Sequence, residues 1–193
     1  MTRFAALLTV VMALAVPARL AFAQEAAAPD FTTGPSYQAD VSALDVRVEN
    51  APPTEYPSVG HLAPMPYGQA IQAWATARFR PTGASVNTLR VTLREGAIVE
   101  QVLPIKRGIG GWFKKEQSVQ YDATLTIEVA LIDANGTTLA AAQGTSKQSQ
   151  TLLEGATTAD KRAAWAAMVN GTFAALDDGL AGPIRQNLGQ YLR

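Results

Sequence analysis

Residues 121–146, which read YDATLTIEVALIDANGTTLAAAQGTS, decide the fold. From Leu125 to Leu131 every second side chain is apolar, and a period of two predicts a strand with one buried face. Asp133-Ala-Asn-Gly136 follows, and an Asn-Gly pair readily takes the positive φ angles of a tight turn. The pattern therefore predicts a hairpin, with an antiparallel return strand from Thr138 to about Ser146.

The segments before this hairpin predict two more strands and a helix. Apolar and polar residues alternate from Leu44 to Val48. A second strand is predicted through Leu89, Val91 and Leu93, and it resumes from Ala97 to Leu103. The second run is interrupted at Glu95-Gly96, where a glycine inside a strand indicates a bulge. Between the two runs, Ile71 and Trp74 have the spacing of one helical face, and Pro81 ends that helix.

The last third of the chain predicts a long helix. Thr158 suits its N-cap, and an apolar stripe of Trp165, Met168, Val169, Phe173, Leu176 and Leu180 follows. Gly179 and Gly182-Pro183 predict a bend or a break, after which a shorter helix carries Ile184, Leu188 and Leu192. The adjacent Asp177 and Asp178 are interpreted as solvated helix surface.

These elements predict an α+β domain, an antiparallel sheet of about four strands with two helices packed on one face. We expect this domain to occupy residues 41–193. Residues 24–40 are rich in Ala, Pro and Thr without periodicity, which favours a short flexible tether.

The first 23 residues are typical of a bacterial export signal. A basic start at Arg3 precedes an apolar run, and Ala21-Phe-Ala23 predicts cleavage between Ala23 and Gln24. The alternative is an amino-terminal anchor that is never cut. The apolar run is shorter than a membrane span, and no later stretch reaches that length. We therefore expect a periplasmic or secreted protein without an integral span after signal removal.

Composition excludes several kinds of chemistry. The chain has no Cys and one His, so neither a disulfide framework nor a structural zinc site is expected. Without Arg3 and Arg19, 14 basic residues face 16 acidic ones, which gives no electrostatic reason to expect nucleic acid. His61 lies in a Pro-rich loop with no Gly-x-Ser-x-Gly motif in the chain. We predict no catalytic residues, no metal, no cofactor and a protein that is not an enzyme.

One segment is a candidate binding loop. Residues 106–115 combine three glycines with four cations and two large aromatics, namely Lys106, Arg107, Lys114, Lys115, Trp112 and Phe113. Trp and Phe can enter an apolar groove or a membrane interface, while the cations can meet acidic lipid or protein. The alternative is that both aromatics fold back onto the core and the lysines are merely solvated.

The layout also resembles a known group of proteins. The features are a Tyr-Pro loop, a helix with Ile71-Gln-Ala-Trp74-Ala, Gln120-Tyr-Asp122 entering a strand, and Ala164-Trp-Ala-Ala-Met168 in a terminal helix. Together they resemble the small proteobacterial envelope proteins and lipoproteins that share the amino-terminal-domain fold of the Tol translocation protein. The auxiliary lipoproteins of lipid-transport ABC systems are similar. This resemblance implies a non-enzymatic accessory role, although the chain lacks the Cys that carries the lipid.

Three hypotheses follow for the function. The first is a periplasmic accessory protein that contacts an envelope protein or a membrane surface through the 106–115 loop and a sheet edge. The second is a carrier that holds a lipid or another apolar ligand between helices and sheet. The third is an unrecognised hydrolase that uses His61 or a carboxylate pair.

Overall fold

The computed structural model of the chain describes residues 29–104 and 117–193. The elements in chain order are β1 (Tyr37–Ala39), β2 (Ala43–Val48), a 3₁₀ turn (Gly60–Leu62), α1 (Tyr67–Arg78), β3 (Phe79–Pro81), β4 (Thr88–Val102), β5 (Gln117–Ile132), β6 (Thr138–Leu153) and α2 (Thr158–Leu188).

The main sheet has four strands in the order β2-β4-β5-β6. Strands β4, β5 and β6 are antiparallel neighbours, but β2 runs parallel to β4. The expected α+β class is confirmed, whereas the expectation of a purely antiparallel sheet is wrong. The reason is that α1 lies between β2 and β4 in the chain, and such a crossover returns the chain to the same end of the sheet.

The hairpin predicted at Asp133–Gly136 is confirmed. The Asp133 carboxylate accepts hydrogen bonds from the backbone N–H groups of Asn135 and Thr137, at 2.9 and 2.8 Å. Gly136 has a φ of 86°, which a side chain would make unfavourable. The return strand β6 continues to Leu153, well past the predicted end at Ser146.

The predicted bulge in β4 is also present, because the register with β5 shifts between Leu93 and Glu95. Gly96 follows the bulge, and a Cβ at this residue would lie 2.8 Å from the Cβ of Tyr67. The absent side chain therefore lets the first turn of α1 pack directly on the bent strand.

Helix α2 is continuous through Pro183 and ends at Leu188, so the predicted break and separate terminal helix are wrong. An interior proline costs a helix about 3 kcal/mol. Ile184 and Leu188 beyond it are almost completely buried, and burial of two such side chains contributes about 3–6 kcal/mol. The packing therefore outweighs the local penalty.

Both helices pack on one face of the sheet. The rings of Tyr67 from α1 and Phe173 from α2 lie 6.1 Å apart over a core that includes Leu125 and Ile127. Trp74 and Trp165 are buried in this core, as their positions on the helical stripes predicted.

The structure differs from the expected tether in the described residues before residue 41. Phe31 is buried against Phe173, with ring centroids 4.9 Å apart. Strand β1 pairs parallel to β3, and on its other side Gln38 exchanges backbone hydrogen bonds with Arg193. The packed domain therefore includes residues 31–40, and the chain's last residues help to fix them.

The predicted signal and its cleavage site at Ala23 and Gln24 lie outside the described residues. Among the helices that the structure describes, none is long and apolar enough to cross a membrane.

Candidate binding surfaces

The predicted binding loop lies outside the described residues. Lys106, Arg107, Trp112, Phe113, Lys114 and Lys115 all fall in the segment 105–116 that joins β4 to β5. The ends of these two strands show where the segment is attached. The described surface around that attachment is therefore the first candidate site.

We call this surface the distal end: Val102, Val119, Leu152 and Leu153, at the end of the sheet where β4 and β6 stop and β5 begins. Val102 pairs with Val119, and Val119 pairs with Leu152, so the three strands meet in register. Val102 is 69% exposed and Leu153 is 50% exposed. Two exposed aliphatic side chains thus flank the attachment of a segment that itself carries Trp112 and Phe113.

A buried tyrosine supports the distal end from below. The Tyr121 hydroxyl donates a 2.9 Å hydrogen bond to Glu100, and its ring packs edge-on against Trp165 at 5.8 Å. Burial, followed by the bond to the Glu100 carboxylate, raises the pKa of Tyr121 above its usual value. Lys161 approaches the same carboxylate at 4.0 Å. This group fixes β4 and β5 to the start of α2, so the distal end rests on a rigid base.

The sheet face away from the helices is polar and internally paired. Asp45 binds both Arg47 and Arg90, at 2.8 and 2.9 Å. Arg94 binds both Glu49 and Glu128. Each of these three arginines therefore has a described carboxylate partner, and together they do not form a free basic patch for anions.

Nearer the distal end, Asp122 organises the same polar face. Its carboxylate accepts hydrogen bonds from Gln101, Gln120 and Ser149, which lie on all three antiparallel strands. Side-chain hydrogen bonds thereby connect strands β4, β5 and β6 in addition to their backbone hydrogen bonds.

No metal-binding cluster of three or more His, Asp or Glu residues occurs in the described ranges.

A second candidate site is an apolar cleft between the start of α1 and the bulge in β4. Its volume is about 290 Å³, and Pro52, Gly60, His61, Tyr67 and Gly96 are among the residues that line it. The cleft lies between a helix and the sheet, the location expected for an apolar ligand.

His61 lies in the 3₁₀ turn at this cleft. Within residues 29–104 and 117–193, no other side chain forms a hydrogen bond with its imidazole, and His61 is exposed. A catalytic histidine needs a partner that fixes its tautomer and orientation. The described side chains around His61 do not form such a contact, and the hydrolase hypothesis stays untested.

One polar site was missed in the sequence. Asp177, interpreted there as solvated helix surface, is almost buried and binds Arg78 at 2.6 Å. It also accepts a 2.8 Å hydrogen bond from the indole of Trp74. A signal was present, because Asp177 follows Phe173 by four residues and precedes Leu180 by three, beside the apolar stripe. The site joins α1 to α2 and is structural.

Comparison with known proteins gives only distant structural similarities. No protein-family model matches the chain, and no curated protein matches it. Among solved structures, it is similar to a minor lipoprotein from Acinetobacter baumannii, with 15% identity and a TM-score of 0.39, over 78% of this chain and 93% of that chain. It is also similar to a PelC dodecamer from Paraburkholderia phytofirmans, with 17% identity and a TM-score of 0.27, over 75% and 93% of the two chains. These values do not assign the chain to a family.

Proposed function

We propose that this protein is a non-enzymatic accessory protein of the bacterial envelope, exported to the periplasm, and that its distal end contacts a membrane surface or an envelope protein. The observation that carries the proposal is the exposure of Val102 and Leu153 beside the attachment of segment 105–116. Exposed aliphatic side chains, together with a connecting segment whose sequence contains aromatic and cationic residues, are a composition that suits such contacts.

The export signal predicted at residues 1–23 supports the location, and the rigid base of Tyr121, Glu100 and Trp165 supports the site. A contact surface that is held by buried hydrogen bonds loses little conformational entropy on binding. The cations Lys106, Arg107, Lys114 and Lys115 add attraction for anionic lipid or for an acidic partner.

The test is the accessibility of Trp112, measured by acrylamide quenching of tryptophan fluorescence. Trp74 and Trp165 are buried, so the quenchable part of the emission reports on Trp112. We expect Trp112 to be quenched in the free protein and shielded by vesicles of anionic phospholipid or by envelope extract. A Trp112→Phe variant should lose the quenchable emission.

A matched pair of variants tests the described part of the site. Val102→Ser should weaken the shielding of Trp112, because it removes apolar surface at the distal end. Val86→Ser is the control, since Val86 is 76% exposed but precedes the opposite end of β4. Shielding of Trp112 by envelope extract but not by phospholipid vesicles would indicate a protein partner and not a membrane surface. Trp112 that is already protected in the free protein would overturn the proposed site.

The apolar cleft supports a second candidate function, the carriage of a small apolar ligand. A cleft of about 290 Å³ is at the lower end of the range for ligand pockets. We expect native mass spectrometry to detect a bound apolar molecule and Gly68→Leu to displace it by filling the cleft. Gly68→Ala is the control, because it adds one methyl group. A ligand-free protein that also fails to bind an apolar fluorescent dye would exclude this candidate.

A further inference from the structure

The two edges of the main sheet are protected to very different degrees. Strand β2 forms one edge, and it is six residues long and carries Asp45 and Arg47. Where β4 extends past β2, residues 57–59 cover it, with Val59 N donating to Ile98 O at 2.8 Å. Strand β6 forms the other edge, and it is 16 residues long. The chain thus covers or shortens one edge and leaves the other long.

The outward backbone groups of β6 can be assigned from hydrogen bonds at the sheet's two ends. Leu103 N donates to Ser118 O, so even-numbered residues of β5 direct their backbone groups to β4 and odd-numbered ones to β6. The partners of those odd residues in β6 are even-numbered, as in the pair Leu125 and Ser146. Odd-numbered residues of β6 therefore direct their N–H and C=O groups outward.

A side chain confirms this direction at one position. The amide of Asn187 donates a 2.8 Å hydrogen bond to the carbonyl of Ala141, at the start of the edge. Within the described ranges, the outward backbone groups at residues 143, 145, 147 and 149 form no hydrogen bond with a side chain or with another segment. These four residues are exposed. The free part of the edge is residues 143–151.

This free part lacks the features that normally prevent strand addition. Edges are usually protected by proline, by several charges, by a bulge or by shortness. Residues 143–151 contain one charge, Lys147, and no proline. Their register with β5 is uninterrupted. Such an edge is a template for another strand.

The flank of α2 beside this edge is also unusually open. Gly171 faces Gln148 of β6, and steps of four and three residues place Ala175, Gly179 and Gly182 on the same side of the helix. A Cβ at Gly179 or Gly182 would have no atom within 4 Å. Glycine disfavours a helix interior, and no contact within the described chain requires it at these two positions. The small flank leaves room for another chain to approach.

We propose that β6 pairs antiparallel with β6 of a second copy of this chain, about a two-fold axis perpendicular to the sheet. Such an axis makes one surface complementary to itself and places both α2 helices on the same face. If the two-fold axis passes near Ser146 and not through Lys147, each Lys147 lies opposite Thr145 of the second copy. The two lysine cations then do not face each other. The pairing is independent of the contact proposed for the distal end.

The expected interface is large enough for a specific dimer. Nine residues of strand extend about 30 Å, and the sheet with its helix layer is about 15 Å high. Each copy would then bury roughly 500 Å², or about 1,000 Å² in total, which meets the lower limit for a specific interface.

The first test is the mass of the exported, purified protein by sedimentation equilibrium and light scattering. We expect a dimer at micromolar concentration. Thr145→Pro should raise its dissociation constant at least 10-fold, because the outward N–H is lost while the β5–β6 hydrogen bonds remain. Thr145→Val is the matched control, since it keeps the N–H, and it should stay dimeric. Circular dichroism and thermal unfolding should show that both variants are folded.

The absence of native cysteine allows a second test with single thiols. Thr145→Cys should be cross-linked by a short bifunctional thiol reagent, whereas Ala84→Cys, in an exposed turn, should not. A protein that is monomeric at about 100 μM would overturn the proposal. So would a dimer that Thr145→Pro leaves intact, or one in which Ala84→Cys cross-links and Thr145→Cys does not.

Discussion

The carboxylate of Asp177 and the guanidinium of Arg78 join the middle of α2 to the last turn of α1, with Oδ2 and Nη2 2.6 Å apart. Arg78 also donates to the carbonyls of Phe31 and Thr33, at 2.7 and 3.0 Å. One ion pair thus holds both helices and the segment before β1 together, and it lies almost completely out of water.

Removing one member of this ion pair should lower the stability of the folded protein. Asp177→Ala leaves the Arg78 cation buried without its partner and the Trp74 indole without its acceptor. We expect the free energy of unfolding to fall by about 3–5 kcal/mol. Chemical denaturation measures this loss. Asp178→Ala, one residue away and exposed, is the control and should change stability by less than about 0.5 kcal/mol. Equal effects of the two variants would contradict the structural role of Asp177.

The contact of β6 with α2 depends on a glycine. A Cβ at Gly144 would lie 2.8 Å from Cγ of Leu180 and 3.1 Å from Cδ1 of Leu176. Gly144→Ala should therefore lower the free energy of unfolding by about 1–3 kcal/mol, because the packed leucines cannot all move away. Gly68→Ala is the matched control, since its nearest atom would be 3.9 Å away. Thermal unfolding should show a lower midpoint for the first variant and an unchanged or higher one for the second.

The sequence predicted the features whose signals are local. The turn at Asn135-Gly136, the bulge near Gly96 and the buried faces of both helices each follow from a few adjacent residues. The α+β class follows from their order along the chain.

The features that the sequence did not predict depend on distant partners. Arg78 and Asp177 are 99 residues apart in sequence, and Gln38 pairs with Arg193 across almost the whole domain. The parallel pairing of β2 depends on where α1 directs the chain. No period or motif identifies the distant partner in these contacts. The sequence alone therefore favours a flexible tether at residues 24–40, and it favours solvated helix surface at Asp177 even though the helical spacing places this residue beside the apolar stripe. The candidate loop at 106–115 stays a prediction.

At the start of α2, two adjacent threonines have different structural roles. Thr157 is the N-cap: its hydroxyl accepts from Asp160 N at 3.2 Å, while the Asp160 carboxylate accepts from Thr157 N at 2.8 Å. The sequence had favoured Thr158 for this role. Thr157→Ala should lower the free energy of unfolding by about 1 kcal/mol. Thr158→Ala should have a clearly smaller effect in the same denaturation assay, and the reverse order would contradict the observed cap.

Stability at alkaline pH should report on the buried Tyr67. Burial raises the pKa of this phenol to about 12, against an ordinary value of 10.0. Its hydroxyl shares a 2.9 Å hydrogen bond with Thr172, between α1 and α2. The folded state therefore favours the neutral phenol, whereas the unfolded chain ionises near pH 10. The resulting stabilisation is complete below pH 10 and is lost as the pH rises to about 12, a decrease of about 2–3 kcal/mol.

Tyr67→Phe removes the ionisable group and should make the loss of stability between pH 10 and pH 12 less steep, although the variant starts from a lower stability at pH 7 because Thr172 loses a partner. Tyr121, whose pKa is also raised by burial, should keep part of the alkaline loss in place. The exposed Tyr56→Phe is the control. The measurement is urea denaturation at a series of pH values. An identical alkaline slope in the wild type and Tyr67→Phe would show that the phenol of Tyr67 does not control stability in this range.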